Sequence, residues 1–241
     1  MSAGQTLPPG QRRIEGFPRF GTHLHRPPPS VPRDPVFDVA GAVTERFAIA
    51  VSDLAVLPRR VLTADFHCVA GWSATDLDWE GVPFETLYRL RIEPHLLSDV
   101  SVTHVLFVGL DEFRSMMSIE DALADDVLIA DQLNGRPLDG DHGAPARLVS
   151  PSHYGYVNAK HLCRIELHTR EPRLDYPGAP LFVRIGLQLP PIAPHPRARV
   201  WEEERTPHVP GWLVRPLNRL LIAPIRLLSA RGSGTARGND G

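Results

Sequence analysis

The sequence predicts a mixed α+β fold, and three observations support this prediction. Short apolar and β-branched segments recur through residues 36–170, and each is typical of a strand. A few short helical segments separate them, and no internal repeat is present. The apolar fraction of 42% is enough for a hydrophobic core in a chain of 241 residues.

The first predicted elements are strands joined by a short helix. VFDVAGAV (36–43) is predicted to be a strand, and FAIAVSDLAVLP a strand followed by a helix that Ser52 caps and Pro58 ends. VLTADFHC is rich in β-branched and aromatic residues, which indicates a strand that ends at Cys68. A loop of small and polar residues is expected to follow, and then a helix over VPFETLYRLRI.

The later elements carry clearer start and turn signals. VTHVLFVGL is a strong strand candidate, and SIEDALA has the Ser118-x-x-Asp121 pattern of a helix start. VLIADQL followed by Asn134-Gly135 predicts a strand that enters a tight turn. ARLVSP and HLCRIELHT are predicted to be the last two strands.

The composition divides the chain into three regions. Residues 1–35 are rich in Pro, Gly and Arg and predict an extended arm without a core of its own. Residues 36–172 hold the predicted strands. Residues 173–241 form a proline-rich extension with a disordered end. Within it, the leucines of segment 211–231 approximate one helical face, which would pack on the domain or dock to a membrane surface or a protein partner.

Charge and cysteine content narrow the classes of protein. The net charge of -2 gives no support for a nucleic-acid partner. Two cysteines are too few for a disulfide framework, which favours a reducing compartment. The first twenty residues lack the apolar stretch of a signal peptide, and no run reaches the length of a membrane span. The sequence therefore predicts a cytoplasmic protein.

Cys68 allows three interpretations: a buried apolar residue, a nucleophile or a metal ligand. Cys163, inside an alternating strand, is typical of the first. A nucleophile needs a nearby base, but the adjacent His67 would point to the opposite face of the strand. The sequence has no paired cysteines and no H-E-x-x-H pattern, so it gives no support for a structural zinc site. A single thiolate bound to a soft metal with ligands from elsewhere remains open.

Two blocks of sequence resemble one known family. HCVAGWS…DLDWEGVPFETL resembles the cysteine loop of the sulfite-oxidase-like molybdopterin domain, and LNGRPLDGDHGAPARLVSPSHYGYVNAKHLCRIEL resembles its cofactor-binding segment. Their order and spacing also match, and the resemblance covers roughly residues 17–170. It implies the β-rich α+β fold of that family and one molybdenum held by the dithiolene of a single pyranopterin. Cys68 would complete the sulfur ligands.

The resemblance also implies the residues that surround the cofactor. Basic and polar groups would hold the pterin and its terminal phosphate, and these are His142, Arg147, Asn158, Ala159 and Lys160, the last being the single lysine of the chain. The arm would close over the pterin through Phe20, Gly21, Thr22 and His23, with simple surface packing as the alternative. Gly109 and Asp111 are a further candidate contact. Tyr156 is a candidate to face the metal, or else a core residue.

The sequence departs from the family in ways that leave the substrate open. The last seventy residues do not resemble the dimerisation domain of animal and plant sulfite oxidases, and no haem motif C-x-x-C-H is present. Electrons are therefore expected to pass to a separate partner. The primary hypothesis is a molybdenum oxidoreductase that transfers an oxygen atom on a small substrate. A cofactor-free relative that acts as a binding or scaffold module is the alternative, and a thiol enzyme that uses Cys68 is a third.

Overall fold

The structure is a computed structural model that describes residues 6–19, 27–174, 193–216 and 219–220. The predicted arm contacts Phe20, Gly21, Thr22 and His23 therefore lie outside the described residues, as does most of segment 211–231. The proposed region limits at residues 35 and 172 stay predictions.

Strands form most of the regular structure. The eleven strands in the described residues are β1 (Arg12–Arg13), β2 (Val36–Gly41), β3 (Phe47–Ala50), β4 (Arg60–His67), β5 (Trp72–Pro83), β6 (His104–Gly109), β7 (Arg114–Ser118), β8 (Leu128–Leu133), β9 (Arg136–Pro137), β10 (Arg147–Val149) and β11 (Leu162–His168). The short helices are a 3-10 helix (Val51–Val56), α1 (Phe84–Leu87) with its π-helical and 3-10 continuations (Tyr88–Ile92, Glu93–His95), and α2 (Ile119–Ala122). The predicted β-rich α+β class is confirmed.

The strands form two sheets. The first has the order β1-β5-β8-β10, with β4 paired to β5 and β9 to β8. The second has the order β3-β2-β11-β6-β7, in which β11 runs parallel to β2 and antiparallel to β6. The β4–β5 hairpin of the first sheet carries Cys68 in its turn, and the arm joins the same sheet because β1 pairs in parallel with the start of β5.

Two hydrophobic clusters stabilise this arrangement. The larger one contains Phe37, Phe84, Phe107 and Ile165, all with no exposed surface. The smaller one includes Cys68 and the two tryptophans of β5. Full burial of a large apolar side chain contributes about 1.5–3 kcal/mol. The larger cluster therefore packs the two sheets together, and the smaller one packs the cysteine hairpin.

Several element predictions are confirmed by particular contacts. The Ser118 side chain accepts a hydrogen bond from the Asp121 N–H (3.1 Å) at the start of α2. Asn134 and Gly135 both have positive φ angles, 52° and 70°, as the turn between β8 and β9 requires. The strand that ends before Cys68 is also present.

Three element predictions are wrong or incomplete. Ser52 does not cap a helix, because the 3-10 helix starts at Val51 and Ala50 occupies the cap position without a side-chain hydrogen bond. The polar loop after Cys68 spans only residues 69–71, and the twelve-residue strand β5 follows. Strand β7 was not predicted. Strand β5 was missed because its acidic residues have low strand propensity. Its pairing with β4 and β8 overrides that propensity.

The described part of the C-terminal extension packs on the domain. The Val200 N–H donates to the Ser152 carbonyl (3.0 Å), and the Tyr154 N–H donates to the Ala198 carbonyl (2.9 Å). Residues 211–216 are helical. Within the described ranges, no helix has the length and apolar character to cross a membrane.

Candidate functional site

A tight turn presents Cys68 at the end of the β4–β5 hairpin. The Cys68 N–H donates to the Trp72 carbonyl (2.8 Å), and the Gly71 N–H donates to the Cys68 carbonyl (2.9 Å). Gly71 has a φ of 96°, a left-handed conformation that is most accessible to glycine. These backbone hydrogen bonds therefore fix the position of Cys68 between the end of β4 and the start of β5.

The Cys68 thiol is buried, with 4% of its surface exposed. Burial raises its pKa to about 12, although the nearby charge of Arg205 acts in the opposite direction. The neighbouring His67 has its Nδ1 atom 2.8 Å from the Ser73 hydroxyl, so that nitrogen is engaged away from the thiol. A thiol with such a pKa is a poor free nucleophile, whereas a bound metal would displace its proton.

The protein offers few other ligands for a metal. Across the described residues, no group of three or more His, Cys, Asp or Glu side chains is arranged to hold a metal ion. A metal bound to Cys68 would therefore take most of its ligands from a cofactor. Cys68 as the single protein thiolate on such a metal stays a prediction.

A narrow cavity brings four of the predicted cofactor residues together, and Cys68 is not part of its lining. Its volume is about 30 Å³. Its lining consists of Phe17, Pro18, Phe66, Asp141, His142, Arg147, Gly155, Asn158 and Lys160. Gly155 links the cavity to the cysteine strand, because its N–H donates to the His67 carbonyl (2.7 Å). The predicted Ala159 is fully buried and does not line the cavity.

Arg147 is the central cation of this cavity and is 1% exposed. Its guanidinium donates to the backbone carbonyls of His142 (3.0 Å) and Asn158 (3.4 Å). It also lies 5.0 Å from the ring centroid of Trp79 and 5.5 Å from that of Phe66. No carboxylate of the described residues forms an ion pair with it, and burial lowers its pKa to about 9.

Lys160 places a second cation beside Arg147. Its ammonium donates to the Asp141 carbonyl (3.0 Å). Burial, and then repulsion from Arg147, lowers its pKa to about 7. Gly109, one of the weaker candidates, packs against this residue, since a Cβ atom there would lie 2.4 Å from the Lys160 carbonyl oxygen. Two adjacent cations in a partly apolar cavity favour the binding of an anion.

His142 and Asn158 shape the cavity by bracing its loops. The two ring nitrogens of His142 lie 2.7 Å from an Asp139 carboxylate oxygen and 2.8 Å from the Phe17 carbonyl. The Asn158 side chain accepts from the Ser150 N–H (2.6 Å) and donates to two backbone carbonyls. The first set of contacts ties the arm to the cavity, and the second fixes the loop that follows β10.

Tyr156 does not present an unengaged hydroxyl, because its OH group donates to the His195 carbonyl (2.9 Å). Asp111 accepts a hydrogen bond from the Phe113 N–H (3.2 Å). The structure also adds residues that the sequence did not indicate. Phe17 lines the cavity, and the nearby Arg19 forms an ion pair with Asp141 (3.8 Å).

Comparison with known proteins gives a consistent family. The family model described as "Oxidoreductase molybdopterin binding domain" matches residues 25–176, more than half of the chain. The uncharacterized oxidoreductase YuiH of Bacillus subtilis is 29% identical over 167 residues, which are 69% of this chain and 75% of that protein. The sulfane dehydrogenase SoxCD from Paracoccus pantotrophus has a similar fold, with a TM-score of 0.51 at 21% identity over 59% of this chain and 40% of that one.

Two further relatives carry names that state an activity. The protein-methionine-sulfoxide reductase catalytic subunit MsrP of Pseudomonas syringae is 24% identical over 76% of this chain and 61% of its own length. Mouse mitochondrial sulfite oxidase is 28% identical over 71% of this chain and 38% of its own. The chain thus spans less than two thirds of either protein.

Proposed function

Because the chain belongs to the molybdopterin-binding oxidoreductase family, we propose that it is a molybdenum-cofactor-dependent enzyme that transfers an oxygen atom to or from a small substrate. The proposed cofactor is molybdenum held by the dithiolene of one pyranopterin, with Cys68 as the protein's thiolate ligand. When bound, this cofactor supplies a metal that exchanges two electrons with the substrate.

The observation that carries the proposal is the pair of cations at the cavity. Arg147 is buried and forms no ion pair with a carboxylate among the described residues, and Lys160 is adjacent to it. Burial of an uncompensated charge costs several kcal/mol, so such an arrangement is favourable only when an anion completes it. The terminal phosphate of the proposed cofactor supplies that anion, and the donor set therefore fits the group.

The two cations would bind the phosphate in different ways, because their donor groups differ in geometry. The planar guanidinium of Arg147 offers parallel N–H donors to a phosphate, and Lys160 offers a compact charge. The proposed arm contacts Phe20, Gly21 and His23 would continue from Phe17, which already packs at the cavity. Asn158 and Ala159 would contribute through the loop that Asn158 braces.

Cys68 and Tyr156 are the proposed catalytic residues. The Cys68 turn holds its thiol in an apolar cluster that excludes water, which favours a stable metal–sulfur bond over side reactions of a free thiolate. Tyr156 is proposed to hydrogen-bond near the reacting oxygen. Its present bond to the His195 carbonyl must then open or be shared when substrate binds.

The substrate class and the partner follow from the relatives' names. Sulfite and methionine sulfoxide both involve an oxygen atom on sulfur, so sulfur-centred substrates are the first to test. MsrP is named a catalytic subunit, which supports the proposal that this chain exchanges electrons with a separate partner, as an acceptor in oxidation or a donor in reduction. A cytoplasmic location stays a prediction from the sequence.

The proposed function can be tested with the two cysteines. Cys68→Ala is expected to abolish turnover of a sulfur-oxide substrate with an artificial electron carrier, because the metal loses its protein ligand. Cys163→Ala is the matched control, since its sulfur contacts the Val108 carbonyl on the second sheet (3.4 Å). Equal activity of the Cys68→Ala and wild-type proteins contradicts the proposal. Activity without bound molybdenum would instead support a thiol enzyme.

A further inference from the structure

The turn that presents Cys68 is held from outside the sheet by segments from both ends of the chain. Three of its backbone carbonyls accept hydrogen bonds from residues distant in sequence. The donors are Gln11 Nε2 to the Cys68 carbonyl (3.1 Å), the Arg12 N–H to the Gly71 carbonyl (3.1 Å) and the Arg205 guanidinium to the Val69 carbonyl. The arm and the C-terminal extension therefore both hold the turn.

Arg205 connects these segments because its guanidinium contacts all of them. Its side chain is fully buried and pairs with Glu203, at 3.2 Å from Nε to the carboxylate. A second nitrogen donates to the Pro9 carbonyl of the arm (3.4 Å), and the guanidinium lies 5.1 Å from the ring centroid of Tyr154. One side chain thus joins the arm, the Cys68 turn and the loop that follows β10 within the cofactor-binding segment.

The surroundings of Arg205 are built to keep it in this orientation. Glu203 also forms two hydrogen bonds to Arg215, so its carboxylate is fixed between two arginines. Gly10 of the arm packs against both, because a Cβ atom there would lie 2.7 Å from Arg215 Nε and 3.0 Å from Arg205 Nη2. The arm therefore packs so closely against the two guanidinium groups that a side chain at position 10 would clash with them.

A buried ion pair commonly stabilises a fold no more than apolar side chains of similar volume would, because both charges lose their hydration. The guanidinium supplies what an apolar side chain lacks, a charged donor to the Val69 carbonyl. We infer that Arg205 is a positioning residue for Cys68: it fixes the turn through Val69 and makes the C-terminal extension part of the metal site. The inference rests on the proposed role of Cys68 as ligand, whereas the restraint of the turn is independent of that role.

The test compares the accessibility of the two cysteines in cofactor-free, folded protein. Arg205→Met removes the donor but leaves Glu203 paired with Arg215. Arg199→Met is the matched control, because Arg199 lies in the same extension but pairs with Asp121 of α2 (2.9 Å) instead of contacting the turn. Iodoacetamide labelling followed by peptide mass spectrometry gives the ratio of the Cys68 rate to the Cys163 rate.

The ratio is expected to rise about tenfold or more in Arg205→Met, because a hydrogen bond from a charged donor no longer opposes opening of the turn. Arg199→Met is expected to keep the wild-type ratio. Arg205→Lys retains one charged donor and is expected to recover much of the protection. An unchanged ratio in Arg205→Met, or the same rise in Arg199→Met, overturns the inference. Equal acceleration at both cysteines also overturns it, since that result indicates general loosening.

A second readout uses cofactor-loaded protein. The visible absorption band of a thiolate bound to a metal depends on the orientation of the sulfur, so Arg205→Met is expected to shift it while Arg199→Met does not. An unshifted band in Arg205→Met contradicts the role at the metal. If wild-type protein binds no molybdenum, the proposed function fails, and the labelling ratio still decides whether Arg205 holds the turn.

Discussion

Arg147 and Arg205 are equally buried, each 1% exposed, yet their surroundings differ. Arg205 pairs with Glu203, and the same carboxylate also binds Arg215. Arg147 has backbone carbonyls and aromatic rings around it but no carboxylate partner among the described residues. Burial favours the neutral form of an unpaired base. The Arg205 site is therefore complete within the chain, whereas we propose that an anion from outside the chain completes the Arg147 site.

The largest effect is expected from removing the carboxylate of the complete site. Glu203→Gln leaves Arg205 and Arg215 without their counter-charge, and breaking a buried ion pair costs about 3–5 kcal/mol. Urea unfolding of the cofactor-free protein measures this loss. Glu204→Gln is the neighbouring control, because that residue does not contact either arginine through an ion pair. A stability loss no larger than that of the control would show that the site is not an ion-pair core.

Arg147→Met is expected to act in the opposite direction on the cofactor-free protein. The substitution removes an unpaired buried cation, so the free energy of unfolding should stay the same or increase. The cofactor content should fall by about tenfold or more, because a hydrogen bond to a charged group is lost. Urea unfolding and phosphate analysis of the purified protein measure the two effects. A fall in stability with full cofactor content would show instead that Arg147 stabilises the fold and does not bind the cofactor.

Lys160 makes the anion site sensitive to pH. Its folded-state pKa is lowered to about 7, while that of an unfolded lysine is near 10.4. Between these values the unfolded chain holds a proton that the folded chain lacks, so stability from this residue rises with pH, by at most about 1.4 kcal/mol per unit. Below the folded-state pKa, Lys160 is protonated in both states, and the full free-energy cost of burying its charge lowers the stability of the folded protein.

The pH effect is checked by unfolding wild-type and Lys160→Met cofactor-free protein at about pH 6 and about pH 8.5. The wild-type protein should gain stability relative to the variant as the pH rises. A constant difference between the two proteins would mean that Lys160 keeps its ordinary pKa. Because Lys160 is the single lysine, no other lysine contributes.

The smallest effect is expected from removing the end of the chain. Deletion of residues 217–241 keeps Arg215 paired with Glu203, so cofactor content and turnover with an artificial electron carrier should not change. Deletion of residues 211–241 also removes Arg215 and should lower stability measurably. Loss of the cofactor in the shorter deletion would show that the terminal residues belong to the anion site.

The sequence predicted the parts of the site that depend on local patterns. The strand before Cys68 follows from its β-branched and aromatic residues, and the turn after β8 follows from Asn134-Gly135. The resemblance to the family placed His142, Arg147, Asn158 and Lys160 in one segment, and the structure brings them to one cavity. Local propensity and a contiguous motif are both readable from a single chain.

The parts that were missed depend on contacts between distant segments. Gln11 and Arg205 meet the same turn from opposite ends of the chain, and no local pattern reports that meeting. Strand β5 carries acidic residues with low strand propensity and is held by its neighbours on both sides. The role of Phe17 likewise requires the arm to fold back onto His142. Tertiary contacts decided these features.

In the proposed arrangement, this chain holds a molybdenum cofactor between Cys68 and the cations Arg147 and Lys160. Elemental analysis of protein purified from a molybdenum-replete host that synthesises the pyranopterin cofactor tests it most directly. One molybdenum per chain is expected in the wild-type protein, and a strong loss of bound metal is expected in Cys68→Ala. Folded wild-type protein without molybdenum from the same host would contradict it.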